Sequence, residues 1–170
     1  SVVEIFSTEK AFAALKDDGS VVTWGKSHYG SNSSSVASQL SDGVVAIFSN
    51  NSAFAALKND GSVVTWGDSD DGGNSTAVAS QLAGVVEVFS TEGGAFAALK
   101  HDGSVVTWGS GGSGGNSSTV ASQLTSGVVE IFTTQKAFAA LKTDGSLVTW
   151  GSGSYGSNSS AVASQLSSEV

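Results

Sequence analysis

Apolar and polar positions alternate along this chain in short blocks, without the long one-sided stripes of an amphipathic helix. The first blocks lie at 2–6, 11–16 and 20–24, are rich in Val, Ile, Phe, Ala and Trp, and are separated by polar residues. Short runs of β-branched and aromatic residues bounded by polar turns favour β-strands. The Ala-rich middle block contains good helix formers, but it is too short for a helix to stand alone. The pattern therefore predicts three consecutive strands.

The whole pattern recurs four times with a constant period. Equivalent Trp residues lie 42 positions apart, and they are Trp24, Trp66, Trp108 and Trp150. A period of about 20 to 50 residues is typical of a solenoid, a propeller or an array, in which each unit buries its apolar faces against its neighbours. We therefore divide residues 1–170, as one repeat domain, into four units at about 2–43, 44–84, 85–127 and 128–169.

An Asp-Gly pair joins the second and third blocks of every unit. The Asp residues are Asp18, Asp60, Asp102 and Asp144. Asp-Gly between apolar runs is a strong hairpin signal, so each unit is expected to be an antiparallel meander. A set of four equivalent carboxylates could also suggest a ring of acidic groups. We interpret the four Asp residues instead as turn formers that accept hydrogen bonds from their own turn backbone.

These elements predict an all-β repeat protein, β-propeller-like, with four antiparallel blades. A stacked β-solenoid is the alternative, because 42 residues could also form one or two coils of a solenoid. The large aromatic residues are expected to form the structural core between units, and they are Phe12, Phe54, Phe96, Phe138, Trp24, Trp66, Trp108 and Trp150. Because an open sheet edge exposes unpaired backbone groups, we also expect the array to close on itself or to continue with further copies.

The segment at residues 35–40 recurs in every unit with Val and Leu at its ends. It predicts either a short outer strand or one helical turn with Val36 and Leu40 facing inward. The spacing of Val36 and Leu40 fits both a strand and a helical turn, so both alternatives stay open.

The run from Ala53 to Gly67, with Ala-Leu, a Gly-containing turn, a short strand and Trp66-Gly67, resembles the repeats of the RCC1-like family. The similarity covers about half of each unit and occurs in all four. The resemblance implies a β-propeller in which each repeat contributes one blade. These units are shorter than usual and lack the family's Gly-x-x-His, and no position matches a motif of its nucleotide-exchange surface, so the resemblance implies no site residue.

Charge and composition exclude several classes of partner. Fifteen acidic residues against seven basic ones give a formal net charge of −8, so a phosphate backbone would be repelled and nucleic-acid binding is not expected. The chain has no Cys, which removes disulfides and cysteine-ligated zinc. No apolar run approaches the roughly 20 residues of a membrane-spanning helix. Because the first residue is not Met, we expect a processed product or a piece of a longer protein.

No arrangement of residues predicts catalysis, a cofactor or a metal site, so we do not expect an enzyme. His28 and His101 occupy different places in their units and cannot be symmetry mates in a metal site. The loop at residues 68–74 has alternating Asp residues followed by Gly, as in a calcium loop, but it lacks the closing Glu and occurs in one copy only. The simpler interpretation of this loop is a solvated turn.

One Asn in each unit begins an Asn-x-Ser/Thr sequon, and these residues are Asn32, Asn74, Asn116 and Asn158. If the protein is secreted by a eukaryote, they are possible glycosylation sites on one surface rim, which favours an extracellular or cell-surface location. Asn is also favoured in turns and helix caps, so turn geometry alone could explain its recurrence.

Three functions are compatible with these observations. The first is a non-enzymatic structural or interaction module, part of a larger surface or filament protein, whose partner is another protein or further copies of itself. The second is a lectin-like propeller that binds carbohydrate through the Trp series. The third, with the least support, is an RCC1-like exchange factor.

Overall fold

The computed structural model describes residues 1–166, and twelve strands form four separate three-stranded sheets, one from each unit. The first two sheets contain β1 (Val2–Ser7), β2 (Ala11–Lys16), β3 (Val21–Gly25), β4 (Val44–Ser49), β5 (Ala53–Lys58) and β6 (Val63–Gly67). The last two contain β7 (Val85–Thr91), β8 (Ala95–Lys100), β9 (Val105–Gly109), β10 (Val128–Thr133), β11 (Ala137–Lys142) and β12 (Leu147–Gly151). The prediction of three strands in each unit is confirmed.

Each sheet is an antiparallel meander in chain order, so the second strand is central in every blade. The hairpin between the second and third strands turns at the Asp-Gly pair, where Gly19 adopts a φ of +74° that favours glycine. A bulge in the first strand leaves Val3 outside the regular register between Val2 and Glu4. The same bulge recurs in the other three blades.

Short helical turns connect one blade to the next. One set follows the third strands and comprises Ser27–Tyr29, Ser69–Gly73, Gly111–Ser113 and Gly153–Tyr155. The second set comprises Ser34–Val36, Thr76–Gln81, Ser118–Gln123 and Ser160–Val162, the last continued by helix α1 (Ala163–Leu166). The segment at residues 35–40 is therefore helical. It lies along β3, where the Val21 amide donates to the Leu40 carbonyl oxygen, and so it covers the outer edge of the sheet.

Consecutive blades pack face to face, and their first strands lie side by side, β1 with β4, β4 with β7 and β7 with β10. Every strand ladder in residues 1–166 is antiparallel and lies within one unit. A β-solenoid needs parallel ladders between units, so that alternative is wrong. The chain is a β-propeller-like repeat protein with four blades.

The four blades form an open arc. Val2 and Ile5 of the first blade and Phe132 of the fourth are each at least half exposed, which they would not be if the two ends covered each other. Within residues 1–166 the chain therefore does not close on itself, and the other part of the expectation, that the array continues with further copies, stays a prediction. The sheets stack through their faces, so an uncovered end presents a broad apolar face rather than an unpaired strand edge.

Candidate functional site

Each blade has two apolar faces with different roles. The leading face packs on the preceding unit, and in the second blade it consists of Val44, Ile47, Phe54, Val64 and Trp66. The trailing face packs on the following unit, and in the first blade it is built from Ala11, Ala13, Leu15 and Leu40, with Phe6, Val21, Tyr29 and Val36 at its border. Because side chains alternate across a strand, the central Ala-Phe-Ala-Ala-Leu run supplies both faces at once.

A stacked aromatic pair forms the centre of every leading face. Phe54 and Trp66 are direct cross-strand neighbours, with ring centroids 5.2 Å apart and ring planes inclined by 21°. The third and fourth blades repeat this stack with Phe96 on Trp108 and Phe138 on Trp150. These six aromatic residues are buried in the three interfaces between blades. Burying a ring of this size contributes about 2–3 kcal/mol, so the pairs dominate the contact.

A glycine on the trailing face receives each aromatic pair. The Trp66 indole Nε1 donates a 2.9 Å hydrogen bond to the carbonyl oxygen of Gly30. A Cβ at Gly30 would lie 2.6 Å from Phe54, and the φ of +101° also favours glycine there. Trp108 and Trp150 make the same bond to Gly72 and Gly114, at 3.1 and 3.0 Å. The three interfaces are thus copies of one design.

The prediction that all eight aromatic residues form the core is wrong for the first unit. Phe12 and Trp24 stack as in the other blades, with centroids 5.3 Å apart, yet they are 44% and 45% exposed. Val2, Ile5 and Val22 beside them are also exposed. Among residues 1–166, no other blade lies against the first one, so its leading face is complete but uncovered here.

Among residues 1–166, nothing covers the trailing face of the fourth unit either. Phe132, Tyr155 and Val162 are exposed, whereas their equivalents in the first unit are partly buried against the second. Within residues 1–166, nothing lies within 4 Å of the position that a Cβ would take at Gly156. A small cavity of about 80 Å³ lies here, lined in part by Ala137, Tyr155 and Gly156. It is the same socket that holds an aromatic pair in the three internal interfaces.

A second surface, which we call the loop rim, consists of the loops that follow the third strands, residues 26–31, 68–73, 110–115 and 152–157. Each loop makes one helical turn and has a glycine with positive φ as its next-to-last residue. The backbone is alike in all four, but the sequences differ: the first loop carries Lys26, His28 and Tyr29, the second carries three Asp residues, and the third has only Ser and Gly.

Charged groups on the loop rim interact across neighbouring loops. His28 Nε2 lies 3.7 Å from the carboxylate of Asp68 in the next loop. The Lys10 ammonium lies 4.7 Å from the centre of the Tyr29 ring and donates to its hydroxyl at 3.2 Å. This hydrogen bond, with the nearby Glu9 carboxylate, raises the pKa of Lys10 above its usual value. Beside the loops, Glu9 and Glu92 border a polar hollow of about 330 Å³.

The two histidines lie in separate surroundings. His28 faces Asp68, while His101 Nδ1 lies 3.3 Å from the Gly84 carbonyl oxygen at the opposite end of the blades. Asp68 uses Oδ1 to accept from the Asp70 backbone amide, which makes an ordinary turn. Across residues 1–166, no three His, Asp or Glu side chains are grouped to hold a metal ion.

The four hairpin Asp residues are bound within their own turns. Asp18 Oδ1 accepts from the Ser20 hydroxyl at 2.6 Å and from the Ser20 amide at 2.9 Å, and the other three units repeat both bonds. The Ser20 hydroxyl, followed by its amide, lowers the pKa of Asp18 to about 2. The pKa values of the other three are lowered by the same groups. The interpretation of these residues as turn formers is confirmed.

The sequon residues Asn32, Asn74, Asn116 and Asn158 are all exposed. Asn32 Oδ1 accepts from the Ser34 amide at 3.1 Å and from the Ser34 hydroxyl at 2.7 Å, which starts the helical turn at Ser34–Val36. Asn74 accepts from both groups of Thr76, and Asn116 and Asn158 accept from the amides of Ser118 and Ser160. The amide oxygen therefore has a turn-forming role.

No known protein family and no curated protein sequence matches the chain. Solved structures do match: human WBSCR16 at 22% identity over 88% of this chain and 47% of that one, with a TM-score of 0.59. Yeast RCC1 (Prp20), solved bound to Kap60, matches at 18% identity over 88% and 42%, with a TM-score of 0.56. The chain has an RCC1-like repeat fold. It spans about half the length of these solved chains.

The WD40 ectodomain of the Arabidopsis thaliana receptor kinase ACR4 also shares this RCC1-like arrangement, at 15% identity over 88% of this chain and 52% of that one, with a TM-score of 0.54. Identities this low show a common fold and leave function to be argued from residues. No helix in residues 1–166 is long and apolar enough to cross a membrane.

One position in the RCC1-like unit was missed by the sequence analysis. Thr8, Asn50, Thr91 and Thr134 each use a side chain to donate to a loop-rim carbonyl oxygen, those of Tyr29, Asp71, Ser113 and Tyr155. The recurrence of a small hydrogen-bonding residue just before the Ala-Phe strand was the available signal. These residues fix the variable loops to the constant blades.

Burial of the Trp series removes the basis for the lectin hypothesis in most of the units. A sugar must reach a ring face to stack on it, and Trp66, Trp108 and Trp150 are at most 4% exposed. Trp24 alone among the four is open to solvent. Equivalent sugar sites in every unit are therefore not formed.

Proposed function

We propose that this chain is a non-enzymatic interaction module, which presents the loop rim to a protein partner from a constant scaffold. The observation that carries the proposal is the contrast between the two parts of each unit. The interfaces between blades repeat the same residues and the same bonds, whereas the four loops keep one backbone and change their side chains. Rigid frames with variable loops are a common design for recognition surfaces.

The loop side chains suit a polar protein surface. The first loop carries Lys26, His28 and Tyr29, and Asp68 of the second loop lies 3.7 Å from His28. Adjacent patches of opposite charge give orientation and specificity more than affinity. Yeast RCC1, which shares the fold, has been described with its binding to Gsp1p and histones. A protein partner for this chain is consistent with such use of the fold.

The low proportion of charged residues and the near-identical units suit a repeated part of a larger surface or filament protein. An extracellular location and glycosylated Asn residues belong to the same proposal, because the four sequons lie exposed on equivalent segments next to the loop rim.

A loop replacement tests this function without disturbing the scaffold. The third unit already carries Ser-Gly-Gly-Ser at residues 110–113 on the same backbone. In the replacement variant, residues 68–71 take this sequence and residues 26–28 and 152–154 take its first three residues, Ser-Gly-Gly. Tyr29 and Tyr155 are kept because they belong to the trailing faces. Circular dichroism and thermal unfolding verify the fold. Proximity labelling in the source cells is then compared between the natural chain and the variant. We expect a specific set of labelled proteins that the variant loses; identical sets from both chains would refute the role of the loops.

A further inference from the structure

The two uncovered ends of the arc are complementary to each other. The first blade offers a complete leading face of Val2, Ile5, Phe12, Val22 and Trp24. The fourth unit offers a trailing face with Ala137, Ala139, Leu141 and Leu166 around the open socket at Gly156. The residues at these positions are the ones that meet in the three internal interfaces, where they are buried. Each of the three internal interfaces thus shows that a leading face is covered by the trailing face of another unit.

The donors and acceptors that cross an internal interface also have equivalents at the two ends. Within the chain, the amides of Val44, Val85 and Val128 donate to the hairpin glycines of the preceding unit at 3.0 Å. Lys58 and Lys142 donate through Nζ to the carbonyl oxygens of Gln39 and Gln123 at 2.7 and 2.8 Å. At the two ends, the equivalent donors are Val2 and Lys16, and the equivalent acceptors are Gly145 and Gln165. In the uncovered blade the Lys16 ammonium donates to Asp18 at 3.3 Å instead, an exposed bond that it would exchange on association.

The first blade is shaped in advance for this contact. Its Phe12–Trp24 stack has the same geometry as the buried stacks although nothing covers it. Ser1 takes the place of the linker glycine, since its carbonyl oxygen accepts from the Asp17 amide as the Gly43 oxygen accepts from that of Asn59. A face that needs no rearrangement loses little conformational entropy on binding.

We propose that two copies of this chain associate head to tail, the first blade of each on the fourth blade of the other, to close a ring of eight blades. An interface between unlike faces closes into a ring only when its rotation permits, and otherwise it forms an open filament. Here the chain spans 47% and 42% of the length of two longer chains of the same fold, so we take its four blades as about half of a closed ring. Two copies then complete it.

The net charge of the chain predicts how the association depends on salt. Each copy carries a formal net charge of −8, so two copies repel one another at low ionic strength. Salt screens this repulsion over about 10 Å at 0.1 M, and it does not weaken apolar contacts. Association through these faces should therefore tighten as sodium chloride is added.

Light scattering coupled to gel filtration tests the stoichiometry. At about 50 µM, a concentration at which a micromolar complex is mostly formed, we expect a mass of twice the 16.9 kDa chain. A mass equal to one chain at this concentration and in added salt overturns the proposal. A distribution of long polymers overturns the closed ring.

Two variants test which faces meet. Phe12→Ala with Trp24→Ala removes the exposed aromatic pair, and Gly156→Asn fills the socket with a residue that tolerates positive φ. Both changes lie on uncovered faces, so each chain should keep its circular dichroism spectrum. Each variant alone should lose association by at least about tenfold, as expected for a buried aromatic anchor.

Mixing the two variants separates head-to-tail contact from other modes. Each retains one intact face, so a mixture should form a complex of one copy of each chain through a single interface. If equal first blades met instead, the socket variant would still self-associate and the mixture would gain nothing, which would overturn the head-to-tail arrangement.

Discussion

The Trp66 indole nitrogen and the Gly30 carbonyl oxygen, 2.9 Å apart, join the second blade to the first. The same pair of groups joins the third blade to the second and the fourth to the third. The donor would be costly to bury unpaired, and the acceptor is available only because a glycine leaves room for the neighbouring Phe ring. The packing of each blade on the one before it therefore depends on one recurring contact.

Gly30→Ala should strongly destabilise the fold. The new Cβ would lie 2.6 Å from Phe54 on a backbone with φ of +101°. Backbone strain and overpacking together should lower the free energy of unfolding by about 3 kcal/mol. Gly156→Ala is the matched control, because its φ is +104° and its surroundings are open.

The control should lose only about 1 kcal/mol, the backbone share, when both are measured by urea unfolding at concentrations that keep the chains monomeric. Equal losses for the two variants would contradict the assigned packing role of the glycine.

Asn50→Ala should detach the second loop from its blade. The buried Asn50 side chain donates to the Asp71 carbonyl oxygen at 2.7 Å and accepts from the Ala53 amide at 2.8 Å. Leaving these groups without partners costs about 2–3 kcal/mol. The adjacent exposed Asn51 provides the control, and Asn51→Ala should stay within about 0.5 kcal/mol. Hydrogen exchange should accelerate at residues 68–73 in the first variant and not in the second.

Asp18 should contribute to loss of stability in acid. Its pKa in the folded chain is about 2, below an unfolded value near 3.9. The carboxylate therefore favours the folded state above the unfolded pKa, and this contribution is lost as the pH falls from about 4 to 2. In Asp18→Asn, stability should depend less on pH across this window. Unfolding curves from about pH 6 to about pH 2 measure the difference.

Asp42→Asn, at an exposed position outside the hairpin turns, controls for the loss of one charge. A variant at Asp18 that kept the full acid dependence of the natural chain would show that the turn hydrogen bonds do not hold the carboxylate ionised.

The four sequon residues should be separable into a turn role and a modification role. Asn→Asp at residues 32, 74, 116 and 158 keeps the Oδ1 acceptor but removes the sequon, so the fold should be retained. Asn→Ala at the same positions removes the acceptor and should cost about 0.5–2 kcal/mol for each turn. If the source is a eukaryote that secretes the protein, we predict glycans on natively sourced material, seen as a mass above 16.9 kDa that the Asp variant lacks. A bare polypeptide mass would leave Asn as a turn former alone.

Much of this architecture is determined by local sequence. The period, the three strands of each unit and the Asp18-Gly19 hairpin follow from residue preferences within about 20 positions, and the structure confirms them. Such features depend on backbone geometry and nearest neighbours, which are the same in every copy. The pairing of Phe54 with Trp66 follows from the same local sequence, because the length and type of a hairpin turn fix the register of its two strands.

Only the tertiary structure decided which equivalent residues are buried. Trp24 and Trp66 have the same neighbours in sequence, Val-Thr before and Gly after, yet one is exposed and the other is not. Burial here depends on whether another unit lies against the face, and that is a property of position in the array. The helical turn at residues 35–40 was decided in the same way, because Val and Leu at this spacing fit either a strand or a helical turn. Packing of Leu40 beneath the next blade and the hydrogen bond from the Ser34 amide to Asn32 favour the turn.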